Sequence, residues 1–527
     1  MNSISLIKNE YVLALLLFLT VSIIWTCAFS TVNFRRPDAY DYAQMGRELG
    51  RGNGFSTLQV FPRHIRFFHD RGFLEKDNWP NLYRCPMPSI INAFLYKITG
   101  DIVQASVLGS VIGFLLSVPV LFILALRISN IKSALSGVLF YAANPVVFAS
   151  SYSGMTEPWA TFFMLLLLLI GFSKNLSKRK SLVIGILCGL GYLTRSQFAV
   201  LTPLCVLYIW FKSHKKTRML NTVVLVGGIV ISVGPWLVRN YRVVGEPAFS
   251  FSNTRNFVIG ALGKDTDLEI MLDAPVETSE IFEQYGSEIL LKIRGNLLGL
   301  FSPYHWARAF PPDSFILLIV LASFIYRKHC SDKKYNLFRD AIVILVVCNM
   351  LIIAMAFSRV RFYTPLQPLI YIVAASEIFI VLNKVKFENL RVVLRNTVFF
   401  GLLLFGFFRF CGNLTLYWKV ATPVSETEMK SYKSIRARVS SGTIVAADTS
   451  YKVSVYAGCR SLRLPAFPRD LLKINDDYLP IDYILAPQWR LNSRTSYGKL
   501  FRSSHFLKRF RRVEMMPDGS VLFERSE

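Results

Sequence analysis

Acidic residues are scarce in this sequence. Only 34 Asp and Glu stand against 60 Lys and Arg in 527 residues, and charge of either sign makes up 18%. With 53% of residues hydrophobic and a mean hydropathy of +0.39, the chain is too apolar for a soluble protein of this length and falls in the membrane class. A net charge of +26 on a soluble chain suggests nucleic acid. Here most Lys and Arg cluster between apolar runs, which is a topology signal, so membrane lipid and not nucleic acid is the expected surroundings. There is no GxxxxGK[ST] and no GxGxxG, which argues against an ATP-driven transporter and an enzyme with a soluble nucleotide donor. The eight cysteines show no CxxC or metal-ligand spacing. Cys27, Cys188, Cys205 and Cys348 lie in apolar runs, as buried free thiols do. No internal repeat is evident, which weighs against a secondary transporter.

What the sequence does have is long hydrophobic runs. Segments near 11–30, 102–126, 133–151, 157–172, 181–194, 197–211, 219–237, 314–326, 340–357, 363–382 and 396–411 predict about eleven transmembrane helices. The run 11–30 lacks a small-residue cleavage site and reads as a retained first helix. The fifth and sixth runs are short and meet at "LTRSQ". Basic clusters such as Lys178, Arg179 and Lys180, or Lys212, Lys215, Lys216 and Arg218, fall in every second connection and should be cytoplasmic. That puts the amino terminus inside and the carboxy-terminal region outside a plasma (inner) membrane. Two long outer loops follow, 31–101 and 238–313, within a membrane domain 1–424. "MPSIINAFLYKITG" in the first loop predicts an interfacial amphipathic helix. Residues 425–527 predict a small α/β outer domain, with strands at "GTIVAAD", "SLRLP" and "DYILAP" and a hairpin around "PDG".

Polar groups at membrane depth are costly, so their positions inform. On the outer face lie Asp38, Asp41, Arg84, Glu157, Arg195, Arg239, Arg359 and Arg361. Arginines gathered at helix ends suit a lipid phosphate or pyrophosphate. Each alone also fits snorkelling to headgroups. Asp38 stands where a helix N-cap belongs, with Asp41 three residues on as a capping-box-like acid. A carboxylate held that way is also placed to take a proton from an acceptor hydroxyl. Glu157 complements a helix dipole or orients an arginine. His64, His69 and Asp70 in "RHIRFFHD" lack a further ligand at a telling spacing and predict a solvated loop.

Five segments carry a resemblance: "PDAYDYAQMGRELGRGNGF", "YRCPMPSIINAFLYKITG", "NPVVFASSYSGMTEPWATFF", "GLGYLTRSQFAVLTPL" with "PWLVRNYRVVGEPAFSFSNTRN", and "RFYTPLQPLIYIVAA". In this order they resemble the polytopic C-type glycosyltransferases, in the branch of protein O-mannosyltransferase-like and aminoarabinose-transferase-like enzymes. The resemblance implies a sugar donor on a polyprenyl phosphate, reaction on the outer face with inversion at the anomeric carbon, and a glycan, lipid or protein acceptor. It implies Asp38 as base, with Asp41 an added candidate one helical turn away. Where many relatives have paired acids, Ala39 follows Asp38, and "YRCP" lacks the acid of an acidic-basic pair. No cofactor is called for, and a divalent metal is left open. A lipid-linked glycan transporter or flippase, and a polysaccharide polymerase or ligase, are the alternative functions.

Overall fold

In a bilayer a helix satisfies its own backbone, so the apolar runs fold as helices. The computed structural model describes residues 34, 36–76, 78–173, 175–259, 261, 268–299, 314–325, 333–355, 360–420 and 424–526. The predicted first span, 11–30, lies outside them. Among the described residues five helices are long and apolar enough to cross a membrane: Ile102–Ile128, Arg218–Val244, Tyr335–Ile353, Arg361–Leu382 and Glu388–Asn413. Shorter apolar helices, Glu157–Gly171 and Leu201–Lys212, pack among them.

The run expected at 133–151 as one span is two helices, Ile131–Ala142 and Pro145–Ser151, bent by 62°. Asn144 causes the break. Its side chain accepts from the backbone N–H of Val146 (2.8 Å) and Val147 (3.1 Å), starting a new helix with Pro145 in its first turn. The meeting at "LTRSQ" is as expected: Lys178–Thr194 ends and Phe198–Lys212 begins around Arg195.

Small residues bring Lys178–Thr194 against Arg218–Val244. A Cβ on Gly185 would fall 2.0 Å from the Leu225 carbonyl oxygen, and one on Gly228 would fall 2.5 Å from that of Leu182. Close backbone approach of this kind is how helices associate where burial from water provides no drive.

The first loop is ordered by its own helices, Pro37–Gly50, Pro62–Asp70 and Pro86–Thr99. Each starts with proline, whose missing N–H costs nothing there. Pro86–Thr99 matches the predicted amphipathic segment: Ser89, Asn92 and Leu95 are buried while Phe94 and Ile98 are exposed. It lies close against Pro37–Gly50 because position 46 is glycine; a Cβ there would sit 2.6 Å from that of Asn92.

The first loop carries three two-residue strands, β1 (Ser56–Thr57), β2 (Gln59–Val60) and β3 (Trp79–Pro80), and the predicted carboxy-terminal strands are present as β4 (Ile444–Ala447), β5 (Arg460–Arg463), β6 (Tyr483–Ala486), β7 (Phe510–Met515) and β8 (Val521–Arg525). Gly519, at φ +83°, closes the β7–β8 turn. The sheet is not confined to residues after 425. Its order is β2-β5-β4-β6-β8-β7, and β2 is Gln59–Val60 of the first loop, parallel to β5 with Gln59 opposite Ser461. One apolar core joins Val60, Ile65, Phe68 and Trp79 of the first loop to Leu462, Ile484, Phe506 and Phe523.

Candidate functional site

Asp38 enters the site from the start of the Pro37–Gly50 helix. It is not the cap: Arg36 holds that position, Pro37 follows, and no side chain caps the helix. Asp38 lies inside the first turn, where its charge meets the positive end of the helix dipole. Its carboxylate is free to face other groups. Arg84 Nη2 donates to Asp38 Oδ1 at 2.8 Å, and Arg361 pairs with Asp38 Oδ2. Asp41, one turn on, accepts from Arg84 Nη2 at 2.6 Å and Nε at 3.0 Å.

Arg84 is held by a turn. Asn81 Oδ1 accepts from the N–H of Tyr83 (3.0 Å) and Arg84 (3.1 Å), and its Nδ2 donates to the Arg84 carbonyl at 3.0 Å. Arg239 steadies that turn from the Arg218–Val244 helix. It donates to the carbonyls of Asn81 (2.9 Å) and Phe55 (3.1 Å) and lies outside the cavity that holds Asp38. Arg195 pairs with Glu157 Oε1 at 2.7 Å and donates to Thr156 Oγ1 at 3.2 Å, so Glu157 orients an arginine. Arg359 lies outside the described residues.

Two cavities meet at Asp38, Tyr83, Arg84, Arg255 and Arg361. The larger, about 470 Å³, runs between apolar helices past Met155, Glu157, Arg195, Ile352, Ile353 and Phe362. The smaller, about 290 Å³, is walled by the first loop and the carboxy-terminal sheet through Gln59, Phe61, Tyr451 and Arg463. The structure thus gathers Asp38, Asp41, Arg84, Glu157, Arg195 and Arg361 around one space.

Arg255 also lines both cavities, although only the motif containing it stood out in the sequence. It donates to Tyr83 Oη at 2.8 Å and lies 3.7 Å from Glu269 Oε1. Glu269 in turn pairs with Arg63 and His64, each at 3.3 Å. The "RHIRFFHD" segment is therefore a helix and not a solvated loop. Ile65, Phe67 and Phe68 face the core, and His64 is buried with its ring stacked 3.7 Å from Phe251.

Burial alone would raise the Asp38 carboxyl, but the Arg84 and Arg361 guanidiniums outweigh it and hold it well below the usual range. Burial dominates at Asp41, which is pushed up to about 6 despite Arg84. Burial lowers Arg84, but the two carboxylates overcome it and raise the guanidinium further. Glu269 is drawn down to about 2: burial opposes this, and His64 with Arg255 and Arg63 prevails.

This donor set does not fit a resident divalent cation. Among the described residues no three His, Cys, Asp or Glu side chains converge. Arg84 Nη2 also occupies the place between Asp38 and Asp41 where a bridging ion would sit.

The architecture is that of the polytopic C-type glycosyltransferases, as the order of motifs implied, and it makes the chain a multi-pass membrane protein. Residues 83–238 match the family model described as dolichyl-phosphate-mannose-protein mannosyltransferase. ArnT from Cupriavidus metallidurans bound to undecaprenyl phosphate superposes with a TM-score of 0.63 at 11% identity, covering 97% of each chain. The same protein in the apo state gives 0.58 at 12%, again over 97% of each. The archaeal oligosaccharyltransferase AglB from Archaeoglobus fulgidus, in complex with an inhibitory peptide and a dolichol-phosphate, gives 0.55 at 11%, covering 99% of this chain and 74% of that one. No curated protein matches the sequence.

Proposed function

We propose that this chain is a glycosyltransferase that moves a sugar from a polyprenyl phosphate to an acceptor hydroxyl, inverting the anomeric carbon, with Asp38 as general base. The reaction takes place on the side of the membrane that carries the carboxy-terminal sheet, which we place outside the plasma membrane. The observation that carries this is Asp38 shared between Arg84 and Arg361 at the junction of an apolar-walled cavity and a polar one.

An apolar-walled cavity edged by arginine suits a prenyl chain ending in phosphate. Arg195, Arg361 and Arg84 stabilise the charge that develops on that phosphate as the glycosidic bond breaks. A phosphate that recruits Arg84 and Arg361 also draws them from Asp38. The carboxylate then becomes a stronger base as the donor binds, and it takes the proton of the attacking hydroxyl. ArnT and AglB, bound to undecaprenyl phosphate and a dolichol-phosphate respectively, have this fold, which supports such a donor here.

The test is affinity for the polyprenyl phosphate that the donor carries and the reaction releases. Undecaprenyl phosphate is titrated into the full-length protein in lipid nanodiscs. Arg361→Gln and Arg195→Gln are each expected to weaken binding by about tenfold, the value of one charge-assisted contact. Affinity unchanged in both variants, or no binding to wild type, rejects the donor assignment.

A further inference from the structure

The cavity of about 290 Å³ is lined by five arginines and two aspartates. Arg84 engages both aspartates, and Arg361 also pairs with Asp38. Arg36, beside the catalytic helix, and Arg463, the last residue of β5, have no carboxylate partner among the described residues. Gln59 of β2 lines the same cavity and is buried, 6% exposed. Its Nε2 donates to Ser450 Oγ at 2.8 Å, while its Oε1 has no hydrogen-bond partner. A buried amide oxygen left unmatched costs stability unless something donates to it. The cavity therefore offers surplus positive charge together with an acceptor for a hydroxyl.

We infer that this cavity is an acceptor subsite selective for an anionic hydroxyl compound, a phosphorylated or carboxylated sugar unit whose charge meets Arg463 and Arg36 while a hydroxyl donates to Gln59. This rests on the proposed transferase function, because the attacking hydroxyl must reach Asp38 from the side opposite the lipid donor. The wall chemistry agrees. The larger cavity is edged by Ile352, Ile353 and Phe362 of the membrane helices, whereas Gln59, Tyr451 and Arg463 come from the loop and sheet. A charged, hydroxyl-rich group without a prenyl chain is better matched on the second side, which carries fewer apolar side chains. The selectivity is built by two distant segments, since Gln59 and Arg463 come together only because β2 adds to the edge of β5.

The experiment uses full-length protein in zwitterionic nanodiscs preloaded with undecaprenyl phosphate. The probes are N-acetylglucosamine 1-phosphate, neutral N-acetylglucosamine and inorganic phosphate, measured by titration calorimetry. The sugar phosphate should bind without displacing the lipid, and at least about tenfold more tightly than the neutral sugar. Arg463→Gln and Arg36→Gln should each weaken it by about tenfold while undecaprenyl phosphate affinity stays within about twofold, which also reports that the variants are folded. Gln59→Leu should weaken the sugar phosphate and leave inorganic phosphate unchanged. Equal affinity for charged and neutral sugar, no sugar-phosphate binding, insensitivity to both arginine variants, or displacement of the lipid by the sugar phosphate would each overturn the subsite. Failure of undecaprenyl phosphate to bind counts instead against the donor assignment, and the sugar-phosphate titration on lipid-free protein still decides the subsite.

Discussion

Asp38 and Asp41 are one helical turn apart and share a guanidinium, yet their acidities diverge. Asp38 receives two arginines and stays ionised, whereas Asp41 receives one, is more deeply buried and is pushed up to about 6. A carboxyl raised in the folded state contributes stability below its unfolded value and loses it as pH rises through the folded one. Thermal stability should therefore fall between about pH 4 and pH 6 by a component that Asp41→Asn removes. Melting curves across that window check this, and an unchanged slope in the variant contradicts it. Arg239 touches the turn that carries Arg84 and not the cavity, so it is a positioning residue. Arg239→Ala should raise the donor KM through a loosened Arg84 and leave the pH profile intact. At this scale Asp38, Arg84, Arg195 and Arg361 were legible because a charge at membrane depth is costly and needs a reason. Arg255, Gln59 and Arg463 were not. Arg255 lies in a segment that stood out only as a whole, Gln59 and Arg463 lie in short strands, and only chain topology brings them to the cavity.

Among the elements, glycines set the spacing that the site depends on. Gly46 lets the helix bearing Asp38 lie on Pro86–Thr99, directly after Arg84, so the register of these two helices fixes the Asp38–Arg84 contact. Gly46→Val must push the helices apart and is expected to cost about 1–3 kcal/mol, as overpacking does. It should also reduce turnover more than Gly227→Val, since a Cβ at position 227 meets open space. Denaturation midpoints and rates on both variants separate them; equal effects contradict the spacing argument. Helix positions were mostly legible from the apolar runs. The break at Asn144 was not read, because the run on either side is apolar enough to pass for one span, although the Asn144–Pro145 pair within it is a helix-start signal. The helix at Pro62–Asp70 was hidden because its polar residues, Arg63 and His64, are buried against Glu269.

Across the whole molecule, the carboxy-terminal sheet and the first loop are one packing unit. Arg47 of the Pro37–Gly50 helix donates to the carbonyls of Ser454 (2.6 Å) and Val455 (2.7 Å), and the apolar core spans both segments. A fragment of residues 425–527 lacks Val60, Ile65, Phe68 and Trp79 and should not melt cooperatively by circular dichroism, whereas an independent domain would. The strands after residue 425 were readable from alternation and turn residues. The sixth, β2, is too short for any pattern, and its place depends on a pairing distant in sequence. Chelators are expected to leave turnover unchanged, since Arg84 fills the position a bridging cation needs. The central claim is that Asp38 takes the acceptor's proton, and single-turnover release of undecaprenyl phosphate from synthetic undecaprenyl-phosphate sugars, with envelope extract as acceptor, tests it most directly. Asp38→Asn should bind the lipid and slow release by about 10²-fold or more. Release at the wild-type rate in that variant would show that another group does the work.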